Sequence, residues 1–192
     1  NLSGSIPDIS KLTNLEYIKL SNNNLTGSIP DISKLTNLTE VHLDQNNLSG
    51  SIPDISKLKN LNIFYLYNNN LSGSIPNISN LKNLIDFNLS NNNLSGSIPD
   101  ILNLANLYYF NLSNNCLTLT QDVADKISKL DIYTTGNFNI NINCIKNIKN
   151  FNGIDQLNCG VCISCGDCKP FIINTILISE DKLNITYTDP NN

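Results

Sequence analysis

Leu12-Thr13-Asn14-Leu15-Glu16-Tyr17-Ile18-Lys19-Leu20-Ser21-Asn22-Asn23-Asn24-Leu25-Thr26-Gly27-Ser28-Ile29-Pro30 is the stretch on which the fold turns, because it recurs. Pro7, Pro30, Pro53, Pro76 and Pro99 fall 23 residues apart, and so do Leu12, Leu35, Leu58, Leu81 and Leu104. A fixed period of this length marks a stack of identical supersecondary units. Within each unit the segment around Ile18-x-Leu20 alternates with period two, as a half-buried strand does. One such strand cannot bury its face alone, whereas stacked copies form a parallel sheet at about 4.8 Å per turn. Leu12, Leu15, Ile18, Leu20, Leu25 and Ile29 are the expected inward set, each contributing about 1.5–3 kcal/mol on burial. Chain entropy offsets most of that gain.

Polar positions repeat as strictly as the apolar ones. Asn23, Asn46, Asn69, Asn92 and Asn115 fall where each unit turns, and are expected to face inward and bond the backbone of adjacent turns. Gly27 and its equivalents permit a tight bend before an Ile-Pro strand. Asp8, Asp31, Asp54 and Asp100 follow Pro and are expected to cap a short helical turn. The fold class is an α/β solenoid with a parallel sheet on its concave face.

The unit LxxLxxLxLxxNxLxGxIP resembles the plant-type leucine-rich repeat over residues 1 to about 117, with 23 residues per unit where the plant form usually has 24. The resemblance implies an extracellular module, secreted or at the cell surface, that binds a protein partner through its concave sheet. It also implies a cysteine-capped end. Cys116 would pair with Cys144, with Gly136-Asn137-Phe138 as a degenerate cap motif and residues 118–130 as a capping helix. In that segment Val123, Ile127 and Leu130 share one helical face.

The outward strand positions form three columns: Tyr17, Glu40, Ile63, Asp86 and Tyr109; Lys19, His42, Tyr65, Asn88 and Asn111; Ser21, Asp44, Tyr67, Ser90 and Ser113. These vary while the frame does not, which fits either a recognition face or exposed positions free to drift. Tyr17, Lys19, Glu40, His42, Asp44, Tyr65 and Tyr67 are the candidate partner-binding set, since aromatic groups are good contact anchors.

Sequons stand at Asn1, Asn24, Asn37, Asn47, Asn70, Asn77, Asn88, Asn93, Asn111 and Asn184. About six would arise by composition alone, so placement tells more than the count. Asn1, Asn24, Asn47, Asn70 and Asn93 share one outward repeat position, whereas Asn88 and Asn111 sit on the concave strands. A glycan on either would cover that half of the concave face.

The chain divides into repeats at 1–116, a cap at 117–158, a cysteine-rich segment at 159–169 and a β-hairpin at 170–192. Cys116 and Cys144 apart, the cysteines are Cys159, Cys162, Cys165 and Cys168. That run approaches a ferredoxin spacing with a short last gap, and four thiolates could also hold zinc. An oxidising compartment favours disulfides, so no cofactor is expected, with zinc on these four the lesser reading. Phe171–Ile178 and Leu183–Thr188 read as a hairpin about a Glu180-Asp181-Lys182 turn. It faintly resembles the opening of an immunoglobulin-like TIG domain.

Charged residues are 15% of the 192, the formal net charge is −4, and there is no Arg, Met or Trp. Nothing basic suits nucleic acid or anionic lipid, and no apolar run is long enough to span a bilayer. With no initiating Met or signal peptide, the chain reads as a piece of something longer. Enzyme chemistry lacks parts: the single histidine, His42, stands near no nucleophile motif, and Glu40 and Asp44 read as a solvated surface. The alternative to recognition is a structural subunit of an extracellular fibre, self-associating head to tail through the solenoid ends. Ice binding is disfavoured because the concave columns hold no uniform Thr array.

Overall fold

A computed structural model of the chain describes residues 1–101 and 103–118, together with the backbone of strands at 139–141, 160–162, 168–170, 172–179 and 182–188. The repeats form a parallel-sheet solenoid of about five turns. Each turn supplies two strands. β2 (Tyr17–Lys19), β4 (Glu40–His42), β6 (Ile63–Tyr65), β8 (Asp86–Asn88), β10 (Tyr109–Asn111) and β12 (Asn139–Asn141) make the concave sheet. β1 (Ser3–Ser5), β3 (Asn24–Gly27), β5 (Asn47–Ser51), β7 (Asn70–Ser74), β9 (Asn93–Ser97) and β11 (Cys116–Thr118) make a second sheet. Register in the concave sheet follows the repeat: Tyr17 lies beside Glu40, Glu40 beside Ile63 and Ile63 beside Asp86.

The inward rows are where the period places them. Leu35, Leu58 and Leu81 are fully buried, as are Val41, Phe64, Phe87 and Phe110 at the strand centres. The three phenylalanine rings stack from coil to coil, with centroids 5.6 Å apart and planes within 16°. In the first coil Leu12 is 52% exposed and Leu15 and Leu20 are only partly buried, because the following coil alone covers them.

Two local expectations change. The short helical turn is instead a pair of successive tight turns: Leu12 N–H donates to Ile9 C=O and Leu15 N–H to Leu12 C=O. The described coils contain no helix, so the α part of the α/β reading gives way to turns. The aspartates still cap: one carboxylate oxygen of Asp8, Asp31 and Asp54 accepts the N–H of Ser10, Ser33 and Ser56, each at 2.9 Å. The strand at this bend ends on Gly27 itself; Ile29-Pro30 follows it in irregular backbone. Gly27 has φ +76, a conformation that L side chains rarely adopt. The second left-handed site of each coil is Asn22, Gln45, Asn68, Asn91 or Asn114, at φ 55–58. Asn tolerates this region because its short amide hydrogen-bonds locally.

The inward asparagines stitch coils together as expected. Asn92 Oδ1 accepts the Leu71 N–H of the preceding coil at 2.9 Å. Its Nδ2 donates to Leu66 C=O of that coil, and to Leu89 and Ser90 C=O of its own. Asn46, Asn69 and Asn115 repeat this arrangement. A further ladder runs along Asn37, Asn60, Asn83 and Asn106, each Nδ2 donating to a carbonyl 24 residues back.

Cys116 is disulfide-bonded. Its expected partner Cys144, the capping helix, the Gly136-Asn137-Phe138 motif, Cys159 and Cys165 lie outside the described residues. β13 (Gly160–Cys162) and β14 (Cys168–Pro170) pair antiparallel with Cys162 opposite Cys168. The hairpin expected after Pro170 is β15 (Ile172–Ser179) against β16 (Lys182–Thr188), with an irregularity between Ile173 and Thr175.

Candidate partner-binding face

The outward residues of β2, β4, β6, β8 and β10 share one surface because strand side chains alternate and the coils stack in register. The described part of this surface is not a loose set of polar side chains. Glu40 lies at its centre: Lys19 Nζ is 2.8 Å and His42 Nε2 is 3.1 Å from the same Oε2. The lysine beside it, then the histidine, holds the Glu40 carboxyl below its ordinary range, against the opposing effect of burial. Lys19 also lies 5.2 Å from the centre of the Tyr17 ring, in cation–π contact.

The aromatic residues interlock. His42 and Tyr65 meet edge to face at 5.1 Å and 84°, and Tyr65 meets Tyr67 at 6.1 Å and 64°. Tyr65 Oη donates to Asp86 Oδ2 at 3.0 Å. Burial, then that carboxylate, pushes the Tyr65 phenol far above its ordinary value. Tyr67 is shifted the same way, by burial and by its hydrogen bond to Asp44.

Asp44 is only 3% exposed and also accepts Ser21 Oγ at 2.6 Å. It supports the Tyr67 phenol from beneath and offers little surface of its own. Tyr17 and Lys19 are exposed, while Glu40, His42, Tyr65 and Tyr67 are half-buried. Six of the seven candidate residues therefore present atoms outward, and the seventh buttresses them.

Asp86 joins this cluster although the sequence reading did not single it out. The signal was available: Asp86 stands one coil beyond Tyr65, 21 residues on, within reach of a long phenol. Further along the same sheet, Asn88 Oδ1 accepts both the N–H and the hydroxyl of Ser90, and Asn111 does the same for Ser113. Asn111 Nδ2 donates to Tyr109 Oη at 2.9 Å, and the residue is 8% exposed.

Chemically, the face is an aromatic platform with fixed acidic groups and one exposed cation. Among the described residues no group of three His, Cys, Asp or Glu is placed to hold a metal ion. No helix among them is long and apolar enough to cross a membrane.

The leucine-rich-repeat family model for two copies matches residues 13–57, and the single-repeat model matches 60–81 and 83–104. No curated protein matches the sequence. Among solved structures, the Arabidopsis thaliana LRR ectodomain of the membrane receptor kinase GASSHO1/SCHENGEN3, in complex with CASPARIAN STRIP INTEGRITY FACTOR 2, is 34% identical over 74% of this chain, with a TM-score of 0.66. The Arabidopsis receptor kinase HAESA, solved with the peptide hormone IDA and the co-receptor SERK1, is 41% identical over 60% of the chain, with a TM-score of 0.58. The Arabidopsis thaliana SOBIR1 ectodomain is 38% identical over 60%, with a TM-score of 0.57. This chain spans 17%, 20% and 65% of those three structures respectively.

Proposed function

With residues 13–57, 60–81 and 83–104 being leucine-rich repeats, we propose that this chain is a non-catalytic, extracellular, N-glycosylated module that recognises a protein or peptide partner. Its role is recognition or adhesion at a cell surface or in its surroundings, and the concave sheet is the contact face. The observation that carries this reading is the locked cluster of His42, Tyr65 and Tyr67, held by Glu40, Asp86 and Asp44. Rings fixed before contact lose little rotamer freedom on binding, so their burial goes into affinity. The receptor ectodomains to which the chain is similar include ones solved with a peptide hormone and a co-receptor, which supports the same class of partner.

The test is selection of peptides from a displayed random library on the immobilised full chain, followed by affinity measurement. Tyr65→Ala and Tyr67→Ala are each expected to weaken the selected peptides about tenfold or more, the effect of losing a contact anchor. Ser74→Ala, exposed on the second sheet and outside every sequon, is the control and is expected to change nothing. Peptides that bind Tyr65→Ala and Tyr67→Ala as tightly as the unaltered chain would refute the concave face.

A further inference from the structure

Four asparagine columns run along the repeats, and three of them have internal work. Asn23, Asn46, Asn69, Asn92 and Asn115 carry the coil-to-coil ladder. Asn37, Asn60, Asn83 and Asn106 donate to carbonyls of the preceding coil. Asn22, Asn68, Asn91 and Asn114 take the left-handed backbone, and Asn114, Asn91 and Asn68 are joined amide to amide.

The fourth column is Asn24, Asn47, Asn70 and Asn93, the first residues of β3, β5, β7 and β9. All four are exposed, and none of their side chains enters a hydrogen bond. Their backbone is ordinary extended strand, which many residues adopt at least as well as Asn. Nothing inside the fold asks for asparagine here. Two residues on, on the same outward side of each strand, stand the exposed hydroxyls Thr26, Ser49, Ser72 and Ser95. Each pair is the acceptor pattern for an N-linked glycan, which is bulky and needs open surface.

Asn111 is the opposite case. Its sequon partner Ser113 is 7% exposed, and Asn111 itself is 8% exposed. Both ends of its amide are engaged, Nδ2 by Tyr109 and Oδ1 by Ser113. A sugar on that nitrogen has no room in the folded chain.

We propose that the N-linked glycans are partitioned by face: Asn24, Asn47, Asn70 and Asn93 on the second sheet carry them, and Asn111 on the concave sheet stays bare. The sugars then wall off the second sheet and leave the last concave strand of the repeats open to a partner. This deepens the extracellular reading above and rests on it, since the sugars are added in the secretory pathway.

The test is to secrete the full chain from a eukaryotic host and release glycans enzymatically in heavy-oxygen water, which tags each formerly occupied Asn. Tags are expected at Asn24, Asn47, Asn70 and Asn93, with none at Asn111. Asn24→Gln, Asn47→Gln, Asn70→Gln and Asn93→Gln should each lower the intact mass by one glycan, and Asn111→Gln should not. An untagged member of the row, or a tag at Asn111 in folded, secreted protein, overturns the partition. Peptide affinity measured on unglycosylated chain is read separately, so failure of the sugar map and failure of the concave contact face are told apart.

Discussion

Replacing Asn92 by aspartate tests the inward ladder with almost no change in shape. The amide nitrogen now donates to the carbonyls of Leu66, Leu89 and Ser90 at 2.9–3.3 Å, in a site 7% exposed. In Asn92→Asp an ionised carboxylate sets an oxygen against those three acceptors, away from water. Both the burial and the lost donor disfavour the charged form, so the folded-state pKa of the new carboxyl rises above the unfolded value of about 3.9. A group raised in this way keeps the protein stable while it is protonated, and stability falls as pH climbs from about 4 towards the folded pKa. Burial of a carboxyl moves its pKa by up to about 3–5 units. Three units, at about 1.4 kcal/mol each, give a loss near 4 kcal/mol by neutral pH. Asn92→Ala removes the same bonds without a charge. The Leu66 and Leu89 carbonyls keep Asn69 and Asn115, so the group left without a partner is the Leu71 N–H. That costs about 1–3 kcal/mol and does not vary with pH. Urea denaturation of the full chain, followed by circular dichroism from pH 4 to 7 and referred to the unaltered chain, separates the two variants. The reasoning is refuted if Asn92→Asp is no less stable than Asn92→Ala at pH 7, or if its deficit is the same at pH 4.

Phe87→Ala removes the middle ring of the Phe64–Phe87–Phe110 stack and is expected to cost about 3–5 kcal/mol; a urea midpoint close to that of the unaltered chain contradicts it. Gly50→Ala meets only a side-chain contact at 3.6 Å, yet φ +78 should cost about 1–2 kcal/mol, seen as a lower thermal midpoint. Asp8, Asp31 and Asp54 have carboxyls held below the ordinary 3.8 by their bonds to Ser10, Ser33 and Ser56. A lowered acid stabilises above the unfolded pKa and loses that effect as pH falls through the folded one; carboxyl-carbon NMR titration should give midpoints under 3.8 for all three. Ultraviolet titration of tyrosinate should show Tyr65 still protonated above pH 10, and Asp86→Asn should bring its midpoint down while leaving it above the ordinary 10.0, since burial is the larger cause.

Much of this molecule was legible along the chain. The 23-residue period fixes which leucines, isoleucines and phenylalanines lie inside, because a stacked coil offers the same environment at every turn. It fixes the Asn23-type ladder for the same reason. The concave columns are likewise read directly, since strand period and coil register together say which side chains share a face.

Other features needed the coils in place. Nothing in the spacing separates Asp44, which is buried under Tyr67 and Ser21, from Glu40, which stays half open. Nor does the sequon rule distinguish the closed Asn111 from the open Asn70, since both triplets read Asn-Leu-Ser and differ only in their place on the coil. The second sheet and the loss of helix on the turn side also emerge only on stacking, when the Asn24–Gly27 segment finds its neighbours Ser3–Ser5 and Asn47–Ser51. A sequence states local periodicity, and that decides which way a side chain points. Whether the side chain then meets water, a sugar or a neighbour depends on residues one coil away, and only the assembled solenoid brings those together.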